Sequence, residues 1–154
     1  RKGSDYLLSG KALLVLMEAV LQQHRPFRFQ ARGFSMAPFI RDGDILTITP
    51  FTTGRPQWGK VAAFIDPRSG LPILHRIIGI RKLAFLTKGD NPFNQSDGWI
   101  PRKNLLGLVT EVKREGKKVR LGMGPERFLI ALWSRMGVWR PAFWLWRKRR
   151  GASG

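Results

Sequence analysis

The order of apolar and polar positions divides the chain into three stretches. From Asp5 to Gln23, Leu7, Leu8, Leu13, Leu14, Leu16, Met17, Val20 and Leu21 recur at helical spacing. They predict a helix with a broad apolar face, with Asp5 placed to cap it. The unbroken apolar run, Ala12–Met17, ends at Glu18. It falls far short of the ~20 residues that span a bilayer. Such a helix is expected to lie on a core or on a membrane surface. No small-residue cleavage site follows it, which argues against a signal peptide.

After Pro26 the period changes to two. Phe27, Phe29 and Ala31 alternate with Arg28, Gln30 and Arg32, which predicts a strand over 25–32. Further strands are expected at Ile45–Thr49, Val61–Ile65, Leu71–Arg81 and Leu83–Thr87. The third of these puts Ile73, His75 and Ile77 on one face. Leu105–Lys113 and Lys118–Leu121 read as closing strands around a hairpin at Arg114-Glu115-Gly116-Lys117. Asp42-Gly43-Asp44, Asp66–Gly70 and Lys88-Gly89-Asp90-Asn91-Pro92 read as turns. Thr52–Trp58, and a segment bracketed by Gly98 and Pro101, read as loops.

Past Gly124-Pro125 the pattern changes again. Phe128–Trp146 is apolar and aromatic, and Arg135, Arg140 and Pro141 break it into two short amphipathic pieces. It ends in Arg147-Lys148-Arg149-Arg150. The expected organisation is an N-terminal amphipathic helix at 1–24, a β-rich domain at 25–123 and an aromatic, basic segment at 124–154. The fold class is mainly β with a helix at each end.

Charge adds a partner to this picture. Lys and Arg outnumber Asp and Glu by 28 to 10 in 154 residues, a net +18. Such an excess draws the chain to something anionic. Tryptophan beside clustered arginine favours the headgroup region of a membrane. Trp133, Trp139, Trp144, Trp146, Arg147 and Arg149 are the expected contacts. A full span would set Arg135 and Arg140 at membrane depth, so peripheral association with an anionic membrane surface is expected. A cytoplasmic location is the alternative, and nucleic acid is a less favoured partner. With no cysteine, disulfides, thiolate metal sites and a Cys nucleophile are excluded. Two histidines without a cluster of ligands argue against zinc, and no metal or organic cofactor is expected.

The candidate chemistry is that of a serine. A serine nucleophile needs a base within hydrogen-bond reach, an orienting partner for the base, and N–H groups for the developing oxyanion. Ser35 lies in the turn-prone Gly33-Phe34-Ser35-Met36-Ala37-Pro38, where Gly33 allows close approach of the backbone. The Ser35 and Met36 amides are candidate oxyanion donors. His75 is the candidate base. Asp90 and Asp97 both sit in turns and both remain candidates for the third group. Taken singly, each has a plainer reading: a turn serine, a core histidine, turn aspartates. His24 lies in a polar connection with no partner in view.

Taken together they resemble one family. Ser35-Met36-x-Pro38, Gly43-Asp44, Gly59-Lys60-Val61, His75-Arg76-Ile77-Ile78-Gly79 and Thr87-Lys88-Gly89-Asp90-Asn91 with Asp97 look like the ordered boxes of the type I signal peptidases. Those enzymes share a β-rich fold with the LexA-like serine peptidases. The resemblance covers roughly residues 27–112. It implies the Ser–His version of the family, with His75 where other members carry a lysine. By that resemblance Ser35 attacks the scissile carbonyl of a peptide or preprotein and His75 is the general base. Asp97 is slightly favoured for direct contact, Asp90 braces its turn, and Arg76 braces these carboxylates. Small residues are expected next to the cut. The chain departs from the family in lacking a transmembrane anchor over 5–23 and in carrying Lys60 where Asp is usual. A LexA-like self-cleaving regulator would need a lysine base and an internal cleavage segment, and neither is evident. A non-enzymatic module binding lipid or nucleic acid is the alternative from another class.

Overall fold

The computed structural model describes residues 10–51 and 56–136. Among them, eight strands form one antiparallel sheet, with a helix before it and a helix after it. The elements run α1 (Gly10–Gln22), β1 (Phe27–Gln30), β2 (Ile45–Pro50), β3 (Val61–Ile65), β4 (Pro72–Ile80), β5 (Ala84–Lys88), β6 (Ser96–Pro101), β7 (Leu105–Arg114), β8 (Lys117–Lys118) and α2 (Arg127–Met136). The spatial order is β1-β2-β7-β3-β4-β5-β6, with β8 paired to β7.

β3 lies in the middle of that order, and its first four residues are buried. Alternation sends them to two cores. Val61 and Ala63 join Leu46, Ile48, Val109 and Val112, and α1 covers this group with Met17 and Leu21. Ala62 and Phe64 join Ile77, Phe85 and Ile100 on the other face. Phe64 meets Phe85 edge to face with centroids 5.8 Å apart. The predicted helical face is therefore turned to the sheet at Met17 and Leu21, while Val15 and Leu16 remain exposed.

The β7–β8 hairpin turns at the expected residues, Arg114–Lys117. Arg114 pairs with Lys117, leaving Glu115 and Gly116 as a two-residue turn with φ of 50° and 75°. That pair of positive φ values suits the right-handed strand twist. The last strand is only Lys117–Lys118, not Lys118–Leu121. The expected strand over 25–32 contracts to Phe27–Gln30, because Ala31 bonds instead to the Asp42–Asp44 turn.

A larger difference lies at 96–101. The sequence reads as loop there, yet Ser96–Pro101 is a strand paired with β5. It ends the strand order, and an outer strand tolerates proline because one row of its backbone groups is unpaired.

α2 packs on β4 and carries part of the aromatic C-terminal segment. The predicted contacts Trp139, Trp144, Trp146, Arg147 and Arg149 lie outside the described residues. Among the described residues no helix is long and apolar enough to cross a membrane.

Candidate active site

Ser35 opens a run of turns between β1 and β2. The Ala37 N–H donates to Phe34 O at 3.1 Å and the Ile40 N–H to Met36 O at 3.1 Å, so the segment coils without becoming a helix. Its two ends are tied down by carboxylates. The Asp42 side chain accepts from the Gly33 N–H at 2.8 Å. The buried Asp44 carboxylate takes Arg114 Nε and Nη2 at 2.8 and 2.7 Å, and the Arg41 N–H at 2.8 Å. Gly33 has φ of 86°, and among the described residues nothing lies within 4 Å of where its Cβ would be. It is needed for its left-handed backbone rather than for close approach.

The close approach occurs at Gly89. A Cβ there would fall against Ser35 O and would stand 2.6 Å from Asn94 Nδ2 and 3.1 Å from His75 Nε2. Ser35 O accepts from the Asn91 N–H at 2.9 Å and from Asn94 Nδ2 at 3.3 Å. The 89–94 loop thus holds the main chain of Ser35 next to the imidazole. Asn91 and Asn94 have no assigned role in the sequence reading. Asn91 closes the Thr87–Asn91 motif, but a side chain that positions a backbone carbonyl leaves no spacing signal.

His75 lies on β4, buried, with its ring centroid 6.5 Å from that of Phe64. Its Nδ1 is 2.6 Å from Asp97 Oδ2. The same oxygen accepts from Thr87 Oγ1 at 2.8 Å. A bulge makes this contact. Thr87 pairs with Gly98 and Lys88 with Ser96, leaving Asp97 as the extra residue of β6. Such an insertion re-aims a side chain, and here it reaches the strand beyond its neighbour.

Asp90 has a different partner. Its oxygens take Arg76 Nε at 2.7 Å and Nη2 at 2.6 Å, and both side chains are fully buried. Arg76 Nη1 donates to Gly59 O and to Gly122 O, each at 2.8 Å. Of the two candidate aspartates, Asp97 therefore touches the imidazole and Asp90 is held by Arg76. The Gly122 loop is fastened from its other side by Glu126, whose Oε1 accepts from the Gly122 and Gly124 N–H groups. Burial works against the charged form of Glu126, but these N–H donors and the Arg76 charge hold its pKa below the usual range.

Ser35 and His75 share the wall of a cavity of about 430 Å³. No family model matches the chain, and a search of the curated proteins finds no match. Gly33, Met36 and the start of β4 also line this cavity, whereas Lys60 does not. Burial, then the nearby Arg127 charge, lower the Lys60 pKa. Among the described residues the N–H groups of Ser35 and Met36 donate to no protein acceptor. Among the described residues no three His, Asp, Glu or Cys side chains gather as a metal site. Ser35 and Met36 thus line the same largely apolar cavity as an imidazole held by a carboxylate.

Proposed function

We propose that this chain is a serine endopeptidase of the signal peptidase type, with Ser35 as nucleophile and His75 as general base. The observation that carries the reading is the 2.6 Å contact between Asp97 and His75 Nδ1, on a histidine that borders the same cavity as Ser35. A carboxylate on Nδ1 fixes the tautomer that leaves Nε2 free to accept a proton. The Ser35 hydroxyl then adds to the scissile carbonyl as its proton passes to Nε2. The oxyanion meets the Ser35 and Met36 N–H groups. The imidazolium returns the proton to the leaving amine, and water repeats the sequence on the acyl-enzyme. Each group is supplied by the protein, so the scheme needs no cofactor.

The sheet offers a place for the substrate. β4 pairs with β3 from Pro72 to Arg76 but meets β5 only from Arg76 onward. The outer edge of Pro72–His75 is unpaired among the described residues, and an extended peptide can add there as a strand. The β-rich, antiparallel fold is of the kind that the resemblance implies.

A second part of the reading concerns location. Phe128, Leu129, Leu132, Trp133 and Met136 are exposed on α2, an apolar stripe at helical spacing on a chain of net +18. This favours peripheral seating on an anionic membrane surface.

Labelling with serine-directed activity probes, followed by peptide mass mapping, tests the catalytic reading. An adduct on Ser35 that disappears in both Ser35→Ala and His75→Ala is expected. Equal labelling of wild type and His75→Ala would remove His75 as the base and favour a binding module of the same fold.

A further inference from the structure

The cavity beside Ser35 is larger than a small side chain. At about 430 Å³ it has the size of a small-molecule site. Leu13 and Met17 of α1, Ile40, Leu46 of β2 and Ala63 of β3 make its apolar wall. The charged or chargeable side chains that border it are Arg32 and His75, and Arg32 is exposed. In an extended peptide, the residue before the cut and the one two places earlier project to the same side. A peptide main chain lying along Pro72–His75 takes part of this open cleft, and an alanine methyl would not reach the inner apolar wall of Leu13, Met17 and Leu46. A carboxylate would lose its water, and the described residues that line the cavity supply no buried cation to replace it.

α1 decides the size of this space. It lies outside the sheet, yet two of its residues line the cleft. Met17 is 1% exposed and belongs to the core, whereas Leu13 is only partly buried. We infer that α1 turns the cleft into an apolar pocket for a bulky aliphatic or aromatic side chain on the acyl side of the cut, with Leu13 and Met17 setting its size. This rests on the peptidase reading above and departs from the small-residue preference that the family resemblance implies. Each further methylene buried in such a pocket favours binding roughly fourfold.

The test separates binding from cleavage. Pools of N-acetylated octapeptides, with one position fixed as Ala, Leu, Phe or Asp and the rest mixed, are passed over the immobilised full-length Ser35→Ala chain. Retained peptides are counted by mass spectrometry, and the same pools are given to the wild-type chain. Leu and Phe pools are expected to be retained about tenfold or more over Ala and Asp. Leu13→Trp, in the Ser35→Ala background and with an unchanged melting curve, is expected to erase that enrichment. Leu13→Ala is expected to shift it toward Phe, and it carries the comparison if the Trp variant does not fold. Equal or better retention of Ala, retention of no pool, or an unchanged preference in a folded Leu13 variant overturns the pocket assignment. Enrichment without any cleavage by the wild type overturns the peptidase reading and leaves the pocket standing. Cleavage after Ala without enrichment of Leu does the reverse.

Discussion

Asp97 reaches His75 from two strands away. It leaves β6, passes beside β5 and stands 2.6 Å from Nδ1 on β4, with Thr87 of β5 bonded to the same oxygen. An amide in place of that carboxylate favours the wrong imidazole tautomer while keeping the shape. Asp97→Asn is therefore expected to lower kcat on a cleaved peptide by on the order of 10³- to 10⁴-fold, with little change in the melting temperature. Thr87→Val removes one donor and is expected to cost roughly tenfold. Steady-state kinetics decide it: an Asp97→Asn chain within about threefold of wild type would remove Asp97 from the mechanism.

The Arg76–Asp90 pair is expected to act through stability. Removing one partner strands a buried charge, which costs about 3–5 kcal/mol. Arg76→Met should show that loss in urea unfolding. Arg76→Met combined with Asp90→Leu should recover part of it, because no lone charge remains. The Gly59 and Gly122 carbonyls lose a donor in both variants, so recovery is incomplete. A single variant as stable as wild type would mean that water reaches the pair.

Glu126 links stability to pH. Its pKa is lowered in the folded chain, so the folded state binds this proton less readily than the unfolded state does. The stabilisation is fully present above the unfolded-state pKa and is lost as pH falls through the folded one. Glu126→Gln is expected to be less stable at neutral pH and to lose less stability between about pH 5 and pH 3. Asp66 obeys the same sign. Burial opposes its charge, but the Ser69 hydroxyl and the N–H groups of Arg68 and Ser69 outweigh it. Parallel stability curves for wild type and Glu126→Gln would contradict the assignment.

For the membrane surface, flotation with vesicles carrying anionic lipid is the measurement. Leu132→Asp with Met136→Asp places two charges in the exposed stripe of α2 and is expected to reduce bound protein at least about tenfold. Wild-type binding that vanishes at high salt and is unchanged by these substitutions would point to charge alone, without burial of the stripe.

Much of this molecule is legible in its alternation. The strands around His75 are buried on both faces, so short apolar runs bounded by turn residues mark them, and strand geometry then puts Ile73, His75 and Ile77 on one face. β6 is not legible because its two informative residues speak against a strand. Gly98 takes φ of 82° beside the bulge, and Pro101 sits on an outer strand. That bulge also separates the two aspartates. No local pattern says that one residue of β6 is displaced toward β4, so Asp90 and Asp97 look alike in one dimension. Gly33 and Gly89 have the converse history. A glycine beside the serine suggests crowding, but the crowded one is 56 positions away, which is visible only once the 89–94 loop is packed on Ser35.

Arg76 bonds at once to Gly59 O, Asp90 and Gly122 O. These partners precede β3, follow β5 and follow β8. Completing its shell therefore requires nearly the whole sheet to have been made and paired, since such distant contacts form late in chain terms. Residue 75 is the neighbour of that arginine on the same strand. A growing chain that stops short of Gly122 already has Ser35 and His75 but lacks the last bond around Arg76. The order of synthesis therefore leaves that shell open until the residues after β8 have been made.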